Sequence, residues 1–161
     1  MHLIAVLKPP KGTMEEIEII FANFLWGEKQ GAFKFHWRKW KDLCYPTEEG
    51  GIGFKSLEDT CAAFSIKLWW KFRKNESLWA EFLHDKYVGQ AHPMQVSVSY
   101  NSSHVWRRML EYKELAEFCI IWEINDGNSS ALCDNWIGDK AFGEIDGIDY
   151  CPIKIFISNG R

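Results

Sequence analysis

The clearest chemistry in this chain lies in basic side chains set among aromatic ones. Lys34, Arg38, Lys39 and Lys41 stand beside Trp37 and Trp40, and Lys67, Lys71 and Lys74 stand beside Trp70. Cations neutralise phosphates and aromatic faces stack on unpaired bases, so both clusters have the means to hold nucleic acid. The same residues have a plainer reading. The tryptophans form core, and the lysines are its solvated rim, because long charged side chains routinely border an apolar face. Both readings stay open at this level.

Other chemistries find little support. A zinc site drawn from His36, Cys44 and Cys61, or from His84 and His92, lacks the paired short spacing of structural zinc. Asp134, Asp139, Glu144, Asp146 and Asp149 are carboxylates of the kind that hold Mg²⁺ in two-metal nucleases. They fall on a glycine-interrupted segment and read as solvated surface. No G-x-S-x-G nucleophile motif occurs. Gly50-Gly51-Ile52-Gly53 lacks the Lys-Ser/Thr of a phosphate loop and reads as a turn. No catalytic residue, metal or cofactor is therefore expected.

The bulk properties agree with a single domain or a domain with a small annex. The net charge of −3 excludes a strong polyanion binder when the molecule is taken whole. Residues 1–88 are balanced, with 13 Lys/Arg against 12 Asp/Glu, whereas residues 119–161 are acidic, with 3 against 7. The five cysteines are widely spaced without a CxxC, which argues against a disulfide scaffold and for a reducing compartment. No apolar run has the length of a membrane span. The opening HLIAV is too short and wrongly flanked for a signal peptide and resembles the last turn of a helix. An intracellular protein of nucleus or cytoplasm is expected.

The elements that must carry the basic clusters are mostly helical. Thr13 and Glu16 form a capping box ahead of Ile17, Ile20, Phe21, Phe24 and Leu25, predicting a helix over 14–26 that Gly27 stops. An extended piece at 33–36 leads to a short helix ending near Leu43, and 46–53 is a turn region. The central element is Ser56 to Lys74, capped by Ser56, with Leu57, Cys61, Phe64, Leu68 and Phe72 on one face and Ile66, Trp69 and Trp70 spreading apolar surface around the cylinder. Ser77 caps a helix over 78–88, 89–101 is a loop, and Ser102 or Ser103 caps a helix to about Cys119. Apolar runs at 119–124 and 129–133 flank Asn125-Asp126-Gly127-Asn128, which predicts a β-hairpin. The expected fold is mainly α: about five packed helices over 1–118, a small C-terminal β-hairpin annex over 119–138, and a poorly ordered acidic tail over 139–161.

A succession of blocks carries a family resemblance. Phe24-Leu25-Trp26-Gly27 comes first, then Trp40 to Cys44 with Pro46, Gly50-Gly51-Ile52-Gly53-Phe54, and Lys67-Leu68-Trp69-Trp70. Leu78-Trp79 with Lys86-Tyr87, Ser103 to Trp106, Trp122 to Gly127 and Asp134-Asn135-Trp136-Ile137-Gly138 follow. No single block is specific, but their order and spacing over residues 3–140 resembles the region downstream of the polymerase palm in plant LINE-type (non-LTR) retrotransposon reverse transcriptases. In those polyproteins it lies between the thumb and the zinc-binding and ribonuclease H modules. Two positions depart from the family pattern: Asn125 stands where glycine is usual, and the Leu132-Cys133 region replaces a tryptophan.

The resemblance implies descent from an RNA-directed DNA polymerase. It does not imply that activity here, because the chain has no Asp-Asp pair, and too little sequence precedes the first helix for a palm. The expectation is a non-catalytic fragment, at most an auxiliary module contacting RNA–DNA hybrid or single-stranded nucleic acid through Lys34, Arg38, Lys39, Lys41, Lys67, Trp70, Lys71 and Lys74. The alternative is a structural piece that docks on a polymerase body through exposed apolar helix surface.

Overall fold

A computed structural model of the protein describes residues 4–5, 7–27, 35–124, 129–136, 138, 141 and 152–154. The chain folds as two compact units, Met1–Phe64 and Ser65–Arg161. Six α-helices have both ends within the described residues: α1 (Lys11–Trp26), α2 (Trp40–Leu43), α3 (Leu57–Lys74), α4 (Leu78–Leu83), α5 (His104–Glu111) and α6 (Lys113–Phe118).

In the first unit, α1 begins earlier than its sequence signal. The residue ahead of it is Pro10, with φ −55° and ψ 147°, and no side chain caps the turn. Proline supplies the extended approach on its own, so Thr13 lies inside the helix and no Thr13–Glu16 box forms. Gly27 ends α1 with φ 77°. The unit is held by aromatic packing. Trp40 stacks on Phe54 at 5.2 Å and meets Phe21 at 5.4 Å. Leu43 is buried beside it, and its carbonyl accepts the Ile52 N–H at 3.0 Å. The 46–53 segment turns as expected through a 3₁₀ turn, Thr47–Glu49. Gly50 and Gly53 have positive φ, while Gly51 is needed for a different reason: a Cβ there would lie 1.9 Å from the Tyr45 carbonyl oxygen.

The second unit contains the larger core. Trp69, Phe72, Leu83, Val88, Trp106, Met109, Leu110, Ala116 and Ile120 form one buried cluster. Tyr87 lies almost parallel to Trp106, 4.6 Å away, and Phe72 meets Trp106 edge-on at 5.1 Å. Ser77 and Ser103 cap α4 and α5 as their types predict. The helix expected over 78–88 changes pitch after Leu83: residues His84–Val88 form a π-turn that Gly89 ends. The helix expected to run to Cys119 is broken at Tyr112 (φ −111°, ψ 8°) into α5 and α6, which brings the complete α-helices among the described residues to six.

Two further readings are corrected. The buried stripe of α3 consists of Cys61, Ser65, Trp69 and Phe72, whereas Leu57, Phe64 and Leu68 are only half-buried. The stripe is rotated because Trp69 and Ser65 have buried polar partners that apolar periodicity does not reveal. The C-terminal β-hairpin is absent among the described residues. Residues 121–124 are irregular, 131–133 form a turn, and Ser130 bridges Pro152 instead. Side-chain capture explains this: the Asp134 carboxylate accepts the Ser130 N–H and the Ser130 hydroxyl accepts the Cys133 N–H, while a backbone bond from the Trp122 N–H to the Asn135 carbonyl at 2.8 Å joins the two segments without a ladder. The intended hairpin turn, Asn125 to Asn128, lies outside the described residues. Within the acidic tail, Ile153 is buried and its N–H bonds the Ser129 carbonyl at 2.9 Å.

Candidate functional site

The second half of α3 gathers four of the sequence-selected residues. Lys67, Lys71 and Lys74 recur at spacings of four and three, so they share one side of the helix, and all three are exposed. Trp70 lies among them, 37% exposed. The Lys74 ammonium sits 5.7 Å from the Trp70 ring centre and 3.3 Å from Glu76. The Trp122 ring packs directly against Trp70, with the two ring centres 5.8 Å apart.

The earlier basic cluster is divided. The Arg38 guanidinium donates to the Gly50 carbonyl at 2.6 Å, so it braces the glycine turn. Lys39 and Lys41 are exposed at α2. Trp40 belongs to the aromatic stack of the first unit, in accord with the plainer reading for that residue. Trp37 is 78% exposed and meets Phe35 edge-on. Lys34 lies outside the described residues.

Behind the α3 surface is a buried charge network. Glu117 on α6 receives the Trp69 indole N–H and the Arg73 Nε–H, each at 2.6 Å. The other end of the Arg73 guanidinium pairs with Asp134, and its plane lies 4.6 Å above the Trp122 ring centre. Asp134 also bonds His92 Nε2 at 3.1 Å and the Ser130 N–H at 2.6 Å. His92 itself is fixed by its other nitrogen, which accepts the Met94 N–H at 3.2 Å. Lys113 then holds the following loop by donating to the Met94 and Val96 carbonyls at 2.7 and 3.1 Å.

Burial pushes the Asp134 carboxyl up, but the His92 hydrogen bond, the Arg73 charge and the Ser130 N–H together outweigh it and hold the group below its ordinary 3.8. His84 moves down from 6.5, through burial first and then the Arg73 charge, against a small opposing effect of Asp85. Its ring stacks on Phe72 at 5.3 Å.

A cleft of about 370 Å³ opens beside this network, lined by Arg73, His84, Gln90, His92, Trp122 and Ser129 among others. Most of these residues carried no functional weight in the sequence. His84 and His92 attract notice only as a zinc pair, and Asp134 only as solvated acid. In the structure His92 and Asp134 are buried partners. The usable signal was the Asp134-Asn135-Trp136 block, whose two polar residues directly precede a tryptophan. Among the described residues no group of three or more His, Cys, Asp or Glu side chains is placed to hold a metal ion. No helix of the described residues is long and apolar enough to cross a membrane.

Comparison with known proteins places the chain beside two from Arabidopsis thaliana. It is 26% identical over 151 residues to one named as a ribonuclease H protein, an alignment covering 91% of this chain and 24% of that protein. The chain therefore spans about a quarter of that relative's length. It is 28% identical over 143 residues to an uncharacterized mitochondrial protein, covering 87% of this chain and 93% of the other. No protein-family model matches the chain, and no solved structure matches it.

Proposed function

We propose that this chain is a non-catalytic, nucleic-acid-holding module related to the region downstream of the palm in LINE-type reverse transcriptases. The observation that carries the reading is the exposed side of α3, where Lys67, Lys71 and Lys74 surround Trp70. Three cations along one helix side follow a phosphate backbone, and an aromatic ring among them offers a stacking surface. The order of sequence blocks supports the family, as does similarity to a protein named for ribonuclease H. The nucleic acid proposed is an RNA–DNA hybrid or a single strand.

Fluorescence anisotropy of a labelled RNA–DNA hybrid at two salt concentrations tests this. Binding should weaken with salt, and Lys67→Glu with Lys71→Glu should lower affinity and reduce the log–log salt slope by about one per lost phosphate contact. Absence of binding at both salt concentrations overturns the reading.

A second reading rests on α1, which buries only Ala22 and leaves Ile20 62% and Phe24 89% exposed. In this reading the chain is a structural piece whose α1 docks on a polymerase body. A strictly monomeric protein that binds no hydrophobic dye and melts cooperatively would count against it.

A further inference from the structure

We infer that the cleft beside His84, Gln90, Trp122 and Ser129 receives one unpaired nucleobase from a strand whose backbone follows Lys67, Lys71 and Lys74. The inference rests on the nucleic-acid reading above and names what that surface would select.

The cleft volume, about 370 Å³, falls at the small end of the ~300–1,000 Å³ typical of small-ligand sites. Its lining suits a flat polar ring. His84 supplies aromatic surface, with Phe72 behind its ring, and Trp122 forms part of the wall with its own ring under the Arg73 guanidinium. Gln90 offers an amide with both donor and acceptor, and Ser129 offers a hydroxyl. An imidazole ring stacks on a splayed base, while amides and hydroxyls meet its hydrogen-bonding edge.

The charges disfavour other occupants. The Arg73 guanidinium is engaged by Glu117 and Asp134, both carboxylates, so it is no open phosphate receptor. Asp134 would repel an anion. A cation would have to displace His92 from Asp134, and the other nitrogen of His92 is engaged by the Met94 N–H. A purely apolar ligand would leave Gln90 and Ser129 unpaired. A neutral heterocycle meets none of these obstacles.

Placement joins the cleft to the lysines. Trp122 lines the cleft and also lies 5.8 Å from Trp70, which stands among Lys67, Lys71 and Lys74. The two tryptophans thus connect the cationic helix side to the pocket. The π-turn at His84–Val88 widens the helix at the cleft wall, a distortion that recurs at functional sites.

The test uses the full chain with a labelled thymidine oligomer, an abasic oligomer carrying the same number of phosphates, and a thymidine oligomer substituted with photoreactive 5-iodouracil. Backbone contacts are equal in the first two, so the difference between them reads the bases. The expected result is roughly five- to a hundredfold tighter binding of the oligomer with bases. Gln90→Ala, at an exposed position, should remove much of that difference without altering abasic binding, and His84→Gln should act in the same direction. Crosslinks should map to residues 84–93 or Trp122. Equal binding of intact and abasic oligomers, or crosslinks confined to Lys67–Lys74 with Gln90→Ala unchanged, overturns the pocket and leaves the backbone grip in place. Absence of binding to every oligomer and to the hybrid overturns both.

Discussion

His92 Nε2 lies 3.1 Å from Asp134 Oδ1, across 42 positions of sequence. Because the opposite ring nitrogen accepts the Met94 N–H, the neutral imidazole must carry its proton on Nε2 and donate it to the carboxylate. One tautomer thus serves two purposes: it caps the 3₁₀ turn Pro93–Gln95 and satisfies a buried carboxylate.

Acid should destabilise the second unit in two stages. The folded-state values of His84 and Asp134 both lie below their unfolded values. The unfolded chain therefore binds more protons as the pH falls, and stability drops with it. The first loss begins below the ordinary histidine value of 6.5, and the second begins below 3.8 and continues toward the lowered Asp134 value. Thermal melting across this range should show a falling midpoint. His84→Gln should flatten the upper stage and leave the lower one; a midpoint independent of pH between 6.5 and 3.8 would contradict the His84 assignment, and one that stays level below 3.8 would contradict that of Asp134.

Arg73→Met should be among the costliest single changes in the chain. It strips the cation from Glu117 and Asp134, whose side chains are only 9% and 7% exposed. Leaving buried charges without their partner costs about 3–5 kcal/mol. Asp134→Asn keeps an acceptor and preserves the Arg73–Glu117 pair, so it should cost less, about 1–3 kcal/mol. Urea midpoints of the two variants give the order directly, and equal midpoints would show that the network holds little stability.

The glycine turn of the first unit offers a paired test. Gly51→Ala drives a methyl group into the Tyr45 backbone, which cannot move aside as a side chain could. Gly53→Ala meets no atom within 4 Å and suffers only its φ of 75°, a strain of about 1–2 kcal/mol. The Gly51 variant should unfold at clearly lower denaturant than the Gly53 variant, despite having the ordinary backbone angle of the two.

Thiol reactivity should follow environment. Burial, then the Glu18 and Asp59 carboxylates, push the Cys44 thiol above its ordinary value, which depletes the reactive thiolate. Cys119 is exposed and Cys61 is buried. Iodoacetamide labelling followed by peptide mass analysis should find Cys119 modified ahead of Cys61, and Cys44 well behind Cys119. Faster labelling of Cys44 would contradict its environment.

The helices were legible because their signals are local. Ser77 and Ser103 cap the turns that follow them, Gly27 ends α1, and the Ser56–Lys74 periodicity marks α3. The hairpin was misread because alternation of apolar runs around Asn-Asp-Gly-Asn is weaker evidence than the side-chain bonds that Ser130 and Asp134 make instead. Of the candidate contact residues, Lys67, Lys71, Lys74 and Trp70 could be grouped by helical spacing alone. Arg73 could not be separated from them, since only carboxylates 44 and 61 positions away turn it inward. Long-range ion pairs leave no periodic trace in sequence, and the cleft they border inherits that silence.

The Asp134 carboxylate has a consequence for how the second unit is assembled. Its partners Arg73 and His92 lie 61 and 42 positions earlier in the chain. A nascent chain emerging residue by residue has α3 and the His92 loop in hand long before this acceptor arrives. Until then Arg73 has Glu117 alone among the network's carboxylates, and the proton of His92 lacks its receiver. Closing loops of this length slows folding more than it changes stability, because their entropy is lost before the contact is gained. The carboxylate therefore acts as a late fastener: an early-terminated product would keep the aromatic core yet lack its lock, and it would be the species most exposed to proteolysis.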